Sequence, residues 1–322
     1  MYLIFAVLLG FLLDCAFGDP KWLPHPVCAI GRLISLTEKS LRMVFPRTPR
    51  GETVAGVLLW LTVCSLSFVV PCGILWWLQR ENFWLAFAVE TVLCYQVFAR
   101  KSLANAGASV EKSLSVSLEE GRKAVAMYVG RDTGELDETG VIKATVETIA
   151  ENLNDGVIAP MVFLLIGGAP LGLLYKAVNT LDSMVGYHNE KYEYFGKFSA
   201  RMDDIWGFIP ARLSAMCLIA GTGLLGYDSR NALRVFLRDR MKHKSPNAGQ
   251  TEAACAGALH VQLAGDACYF GKAVHKEPLG DPDRKVITAD IGRTVDLMTA
   301  ASILALLLCC AVRLALTWPA HG

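Results

Sequence analysis

Residues 139–178 read TGVIKATVETIAENLNDGVIAPMVFLLIGGAPLGLLYKAV, a polar helix that runs straight into an apolar segment. In the polar half, Glu147, Glu151 and Asp155 recur every four residues and so line one slowly drifting helix face, flanked by Asn152 and Asn154. No Lys or Arg lies between Ala144 and Leu174. Like charges four residues apart destabilise a helix mildly, and a hard divalent cation is the natural offset. A solvated acidic face is the plainer alternative. Gly156 and Pro160 mark where the polar helix stops or bends. The apolar half, 157–178, is long enough to cross a bilayer as one helix. Its middle, Gly167-Gly168-Ala169-Pro170, divides it into halves of about ten residues, too short to cross alone. We therefore expect a re-entrant hairpin with its tip enclosed by protein, which would return 179–204 to the compartment of 147–155.

The remaining composition agrees with a membrane protein. Of 322 residues 53% are apolar, and the mean hydropathy is +0.38, too high for an ordinary soluble domain. The net charge of +1 implies no bulk attraction to nucleic acid. The ten cysteines form no CxxC pair and no zinc-like Cys/His cluster, so they read as small apolar residues of membrane helices. The opening run MYLIFAVLLGFLLD has no preceding Lys or Arg and no A-x-A site, and reads as a retained membrane segment. The fold class expected is all-α: a polytopic integral membrane protein with helical cytoplasmic regions and re-entrant or broken helices. It is taken as one membrane-embedded domain over 1–322.

Membrane segments are expected at about 1–17, 54–78, 83–98, 157–178, 205–225 and 295–316, with polar regions at 18–53, 99–156, 179–204 and 226–294. Glu90 falls inside the third segment, where an acid is a functional hypothesis by default. Pro20, Pro24 and Pro26 force an extended path before an amphipathic helix from Ile30 to about Val44. Lys21, Arg32, Lys39, Arg42, Arg47 and Arg50 make this loop basic, so it belongs in the cytoplasm, as do 99–156 and 226–294. Residues 205–225, interrupted by Pro210 and Arg212, are expected to dip and return like 157–178.

Two apparent motifs fail on context. Gly221-x-Gly223-x-x-Gly226 matches a dinucleotide fingerprint but sits in an apolar segment without a preceding strand, where small residues serve packing. GDACYFGKA at 265–273 resembles a P-loop, but its spacing is one residue too long and Ala273 replaces the Ser or Thr that would reach Mg²⁺. Gly-Asp-Pro, at 18–20 and 280–282, reads as two separate turns. His25, between prolines, reads as structural, and His188 is left open.

The positive candidates are polar clusters beside membrane segments. Glu147, Glu151 and Asp155 are candidate metal ligands and, with Asp203 and Asp204, candidate catalytic acids. Arg131, in the turn 129–133, together with Lys176, Arg201 and Arg212, can supply cations to phosphate oxygens. Asn179 and Asp182 lie in the charge-rich 179–204 region. Ser245, Asn247 and Glu252 belong to KSPNAGQTE, a loop that opens a helix from Ala253 to Leu263, whose free amides can hold an anion.

The whole pattern resembles the adenosylcobinamide-phosphate synthase family of cobalamin biosynthesis (CbiB/CobD type). The resemblance runs through DCAFGDPKWLPHPVCAIGRLI, ARKSLANAG, YVGRDT, VETIAENLNDGVIAP, GGAPLGLLYKAVNTLDSMVGYHNEKYEYFGKFSARMDD, PARLSA, SPNAGQTEAACAGAL and GDPDRKVITADIGRTVDLM, in that order. It implies an ATP- and Mg²⁺-dependent amide ligase in the bacterial inner membrane. Such an enzyme joins the propionate carboxylate of adenosylcobyric acid, a corrinoid, to (R)-1-aminopropan-2-ol O-2-phosphate. The partners implied are these substrates, the lipid bilayer and other membrane enzymes of the cobamide pathway, with no nucleic acid. An acyl phosphate is the economical activated form, and the acids and cations named above suit its formation. Two non-catalytic alternatives are a membrane sensor of the AmpE type and a corrinoid-binding transport accessory.

Overall fold

The computed structural model describes residues 1–317 apart from Lys21, His188 and Phe270. Among the described residues the regular elements are helices except for one short ribbon. In order come α1 (Tyr2–Phe17), α2 (Pro26–Val44), α3 (Pro49–Glu81), α4 (Phe83–Val97), α5 (Arg100–Leu114), α6 (Leu118–Ala126) and α7 (Glu138–Leu153). A π-helical turn (Asn154–Ile158) leads into α8 (Ala159–Val185), then α9 (Lys197–Leu224), α10 (Ser229–Asp239) and α11 (Ala248–Leu259). The ribbon β1 (Ala267–Tyr269) and β2 (Lys272–Val274) and the long α12 (Ala289–Thr317) complete it. By length and composition five helical stretches among the described residues can cross a membrane: Pro49–Glu81, Phe83–Leu114, Glu138–Val185, Lys197–Leu224 and Ala289–Thr317. α1 is shorter but equally apolar.

The chain forms two compact units. The first holds Met1–Ala99, Ala159–Gly207 and the stretch from Leu308; the second holds Arg100–Ile158 and Phe208–Leu307.

In the first unit α3 shows why these helices sit in lipid. Ala55, Leu59, Val63, Ser67, Pro71, Leu75 and Leu78, about one turn apart, are buried along one face. Leu58, Leu61, Val69, Val70, Ile74, Trp76 and Trp77 are exposed around the rest, an apolar surface that suits hydrocarbon. Thr48 caps the start by accepting from Gly51 N at 3.1 Å, with Pro49 in the first turn. Asn82 ends α3 and caps α4, its Oδ1 accepting from Leu85 N at 3.1 Å. The buried face of α3 meets Ile30 and Ile34 of α2, Ala177, Val178, Leu181 and Val185 of α8, and Phe195.

The decisive feature of this unit is the break in α8. Gly167 (φ −138°, ψ 21°) and Gly168 (φ 71°, ψ −165°) are not helical. The Phe163 and Tyr175 rings stack with centroids 4.9 Å apart, whereas twelve residues of straight helix would separate them by about 18 Å. A Cβ on Gly172 would lie 2.5 Å from Leu164 Cδ2, so the arms touch where glycine leaves room. The chain therefore doubles back here, as the half-length segments predict. Glu90 explains how the tip is held: its Oε1 accepts from Ala169 N at 2.6 Å, capping the first free amide of the second arm. The intramembrane acid is thus a structural cap.

The expected dip at 205–225 is not formed. α9 runs unbroken through Pro210 for 28 residues, about 42 Å at 1.5 Å per residue. Proline removes one N–H but keeps a helical φ, so alone it does not reverse a chain. Reversal needs a residue such as Gly168, and after residue 205 the first positive φ belongs to Gly226 (77°), beyond the helix. Gly221 packs toward Ala300 and Ala301, the packing role read from its motif.

In the second unit α11 is the central element. All twelve of its residues, AGQTEAACAGAL, are buried, and the small side chains let neighbours approach closely. A Cβ on Gly257 would come within 2.8 Å of α10 at Ala232 Cα. The helix begins five residues earlier than the sequence suggests, because Ser245 Oγ accepts from Asn247 N (3.2 Å) and Ala248 N (3.4 Å) and caps it there. The P-loop-like stretch is the antiparallel ribbon, with Ala267 opposite Val274 and Tyr269 opposite Lys272. Both Gly-Asp-Pro turns are anchors. Tyr95 Oη donates to Gly18 O in one, and Asp281 pairs with Arg234 (2.5 Å) and Arg238 (2.7 Å) in the other. His25 is structural as read, its Nδ1 accepting from Val27 N at 3.2 Å as the cap of α2.

Candidate functional site

Asp137 starts α7 by accepting from Gly140 N at 2.7 Å, which fixes the phase of the acidic face that follows. Glu147 is buried, and both of its oxygens are engaged. Oε2 pairs with the Arg131 guanidinium, and Oε1 accepts from Ala264 N at 2.8 Å. One turn further on, Glu151 faces the same space. Across from it stands Glu252 of α11, itself buried. These three glutamates, with Arg131, Asn152, His243 and Lys276, line a cavity of about 260 Å³ within the second unit. Tyr128, Val129, Gly130 and Thr148 complete the wall. The ribbon is tied to the same wall, since Asp132 Oδ2 accepts from Gly271 N at 2.7 Å.

The electrostatics follow from burial. Burial, then the neighbouring Glu151 and Glu147 carboxylates, holds the Glu252 carboxyl well above the usual carboxylate range, and Lys276 and Arg131 offset this only in part. His243 Nδ1 accepts from Ser245 N at 3.0 Å, so in the neutral ring the proton sits on Nε2. Burial, with the Lys276 charge second, keeps that imidazole below its ordinary range and thus neutral. The chamber therefore offers two cations, a neutral N–H donor, a carboxyl that readily holds a proton, and carboxylate oxygens.

Of the residues proposed from sequence, Glu147, Glu151, Arg131 and Glu252 are brought together here. Asp155 is not. It falls in the π turn, whose wider winding shifts it off the α7 register, and its Oδ1 accepts from Asn154 Nδ2 at 2.7 Å. Glu147, Glu151 and Asp155 do not form the expected ligand set, and among the described residues no three His, Cys, Asp or Glu side chains are grouped to hold a metal. Glu252, not Asp155, lines the cavity with Glu147 and Glu151. Arg212 donates to Phe208 O (2.8 Å) and Asn247 Oδ1 (3.3 Å), and Ser245 is occupied as a cap. These three lie outside the cavity wall.

The other candidates belong to the first unit. Asn179 Nδ2 donates to Asp203 Oδ1 at 3.4 Å, while Asp204 is half-buried beside it in α9. Lys176 and Asp182 lie on the second arm of α8, where a Cβ on Gly186 would strike Asp182 Oδ1. Arg201 is exposed near the start of α9. His188 lies outside the described residues. Sequence reasoning missed Tyr128, Asn152, His243 and Lys276. Asn152 was visible beside Glu151, but His243 and Lys276 come from irregular segments whose position only the packing of α11 and the ribbon fixes.

The donor set fits Mg²⁺. The Glu151 carboxylate and the Asn152 amide are hard oxygen donors, and Mg²⁺ uses one or two carboxylates together with substrate phosphate oxygens. Glu147 is committed to Arg131 and Ala264 and serves to hold the wall.

Comparison with known proteins agrees along nearly the whole chain. The model of the CobD/Cbib protein family matches residues 7–298. The chain is 46% identical over 308 residues to the cobalamin biosynthesis protein CobD of Photorhabdus laumondii, covering 95% of this chain and 96% of that one. It is 44% identical over 315 residues to the cobalamin biosynthesis protein CbiB of Salmonella typhimurium, covering 98% of each. No solved structure matches. With its apolar helices and this breadth of similarity, the chain belongs to the CobD/CbiB family of cobalamin biosynthesis proteins, as a multi-pass protein of the inner membrane.

Proposed function

We propose that the protein is an ATP-dependent amide ligase that joins (R)-1-aminopropan-2-ol O-2-phosphate to the propionate carboxylate of adenosylcobyric acid, giving adenosylcobinamide phosphate. The observation that carries this reading is the cavity in which Glu147, Glu151 and Glu252 face Arg131 and Lys276, in a chain of this family.

The corrinoid carboxylate attacks the γ-phosphorus of ATP, and ADP leaves with the bonding electron pair. The amine then attacks the acyl carbon, and inorganic phosphate leaves. Arg131 and Lys276 place positive charge where phosphoryl oxygens gather it. His243 Nε2–H adds a neutral donor to the same oxygens. The substrate ammonium must lose a proton before its nitrogen attacks and another once the C–N bond forms, and Glu252, with a carboxyl poised above the ordinary range, is matched to accept one. Mg²⁺, held by Glu151 with Asn152, would neutralise phosphate charge.

The test is an assay of purified protein with adenosylcobyric acid, aminopropanol phosphate and MgATP, following product and ADP together. Wild type should form both in equal amounts. Glu151→Gln should lower kcat by about a hundredfold or more while the protein stays folded in detergent. A folded wild-type protein that yields neither product nor ADP would overturn the reading.

A further inference from the structure

A second, apolar pocket lies in the same unit as the chamber and borders it. The α7 face that carries Asn152 continues back through Thr148 to Thr145 and Ile149. Thr148 belongs to the walls of both spaces, as do Tyr128 and Val129. Beyond them the pocket is walled by Ala106, Gly107 and Val110, which share one face of α5, and by Val125 of α6. Val110, Val125 and Ile149 are buried, and the Thr145 hydroxyl is committed to Val141 O at 2.8 Å.

The pocket measures about 20 Å³. A space of roughly 10–15 Å³ already admits one water-sized group, so this one takes a single group of that size. A flat two-ring base such as adenine is too large for it. A water would fit, but buried water is held by two to four polar partners, and aliphatic walls do not supply them. A methyl group needs none.

We propose that this pocket receives the methyl group of the amino alcohol, and so selects aminopropanol phosphate over its two-carbon analogue, aminoethanol phosphate. On the ligase reading, on which this rests, the amine attacks inside the chamber. The methyl is three bonds from the amine nitrogen and so lies within about 4 Å of it. The carbon that bears the methyl also bears the phosphate ester, and Arg131, in the chamber wall, follows Tyr128 and Val129 closely in the chain. That one carbon thus presents a charged group to the chamber and an apolar group to the pocket. Inverting it exchanges the methyl with hydrogen, so the (S) enantiomer cannot place amine, phosphate and methyl together. One methyl in an apolar pocket is worth roughly 10–200-fold in kcat/KM.

The test compares kcat/KM for the amine phosphates, using the full-length enzyme in detergent with adenosylcobyric acid and MgATP. Wild type should prefer (R)-1-aminopropan-2-ol O-2-phosphate by about tenfold or more, and should use the (S) enantiomer no better than aminoethanol phosphate. Val125→Ile adds a methyl to the pocket wall and should lower the preference about tenfold. Val110→Ala enlarges the pocket and should raise kcat/KM for 1-aminobutan-2-ol O-2-phosphate, which carries an ethyl group, about tenfold relative to the methyl substrate. Each ratio is taken within one protein, so a general loss of stability does not move it, and either variant alone suffices. Equal kcat/KM for the two wild-type substrates, or ratios that neither variant alters, would overturn the pocket assignment while the ligase reading stands. No product from any amine would overturn the ligase reading and the pocket assignment with it.

Discussion

Gly168→Ala should destabilise the protein strongly, because it combines backbone strain with the loss of a buried cap. With φ 71° and ψ −165°, Gly168 occupies a region essentially closed to residues with a Cβ. Forcing alanine there costs about 1–3 kcal/mol in backbone strain. The new Cβ would also lie 2.5 Å from Glu90 Oε1 and 3.1 Å from Leu3 Cδ2. To make room Glu90 must leave the amide of Ala169, and an unsatisfied buried group adds about 1–3 kcal/mol. The sum is roughly 2–6 kcal/mol, centred near a thousandfold change in the unfolding equilibrium. Equilibrium unfolding in mixed dodecylmaltoside and SDS micelles, followed by tryptophan fluorescence, measures it. Gly73→Ala is the control, because a Cβ at Gly73 of α3 meets nothing within 4 Å and alanine favours helix. In a Glu90→Ala background the contact with Glu90 is gone, so Gly168→Ala should then cost only the strain, about 1–3 kcal/mol. Glu90→Gln should be nearly neutral, since the amide oxygen still accepts from Ala169. A Gly168→Ala protein within about 0.5 kcal/mol of wild type would refute the hairpin and the capping role of Glu90 together.

Arg131→Ala leaves Glu147 buried without its cation and should cost about 3–5 kcal/mol, read by the same unfolding assay and accompanied by loss of ligase turnover. Asp239 has no exposed side-chain surface; it pairs with Arg238 and Lys242, each at 2.7 Å, and accepts from Gly280 N at 2.8 Å. Although burial opposes it, these partners hold its carboxyl below the usual carboxylate range. Its contribution is therefore present above the unfolded pKa of about 3.9 and is lost as pH falls through and below that value. Asp239→Asn should be destabilised near pH 7, and the gap to wild type should narrow on acidification. Arg42 Nη2 donates to Lys191 O at 2.9 Å, which places the 186–196 loop beside the basic α2. Tyr187→Cys should therefore be labelled from the cytoplasm, and labelling by an impermeant maleimide in intact cells with a permeable outer membrane would contradict the positive-inside assignment.

Composition and period alone determined that this is an all-α membrane protein, because long runs without charge have no other low-energy environment. The glycine pair at 167–168 was equally legible: few arrangements of two half-length apolar helices leave the backbone satisfied, and a hairpin is one of them. Glu147 and Glu151 could be seen on one face by their spacing, a local property. Asp155 was assigned to the same face because nothing local announces that a π turn begins at Asn154. Pro210 misled in the opposite sense, since proline advertises a break that a helix can absorb. The tertiary structure decided the rest. Glu252 faces Glu151 because α11, wholly buried and built of small residues, carries it inward, while His243 comes from the irregular segment before α11 and Lys276 arrives just after a ribbon that leaves no periodic trace. Cavities are made by side chains far apart in sequence, and which of them meet depends on packing that no single segment encodes.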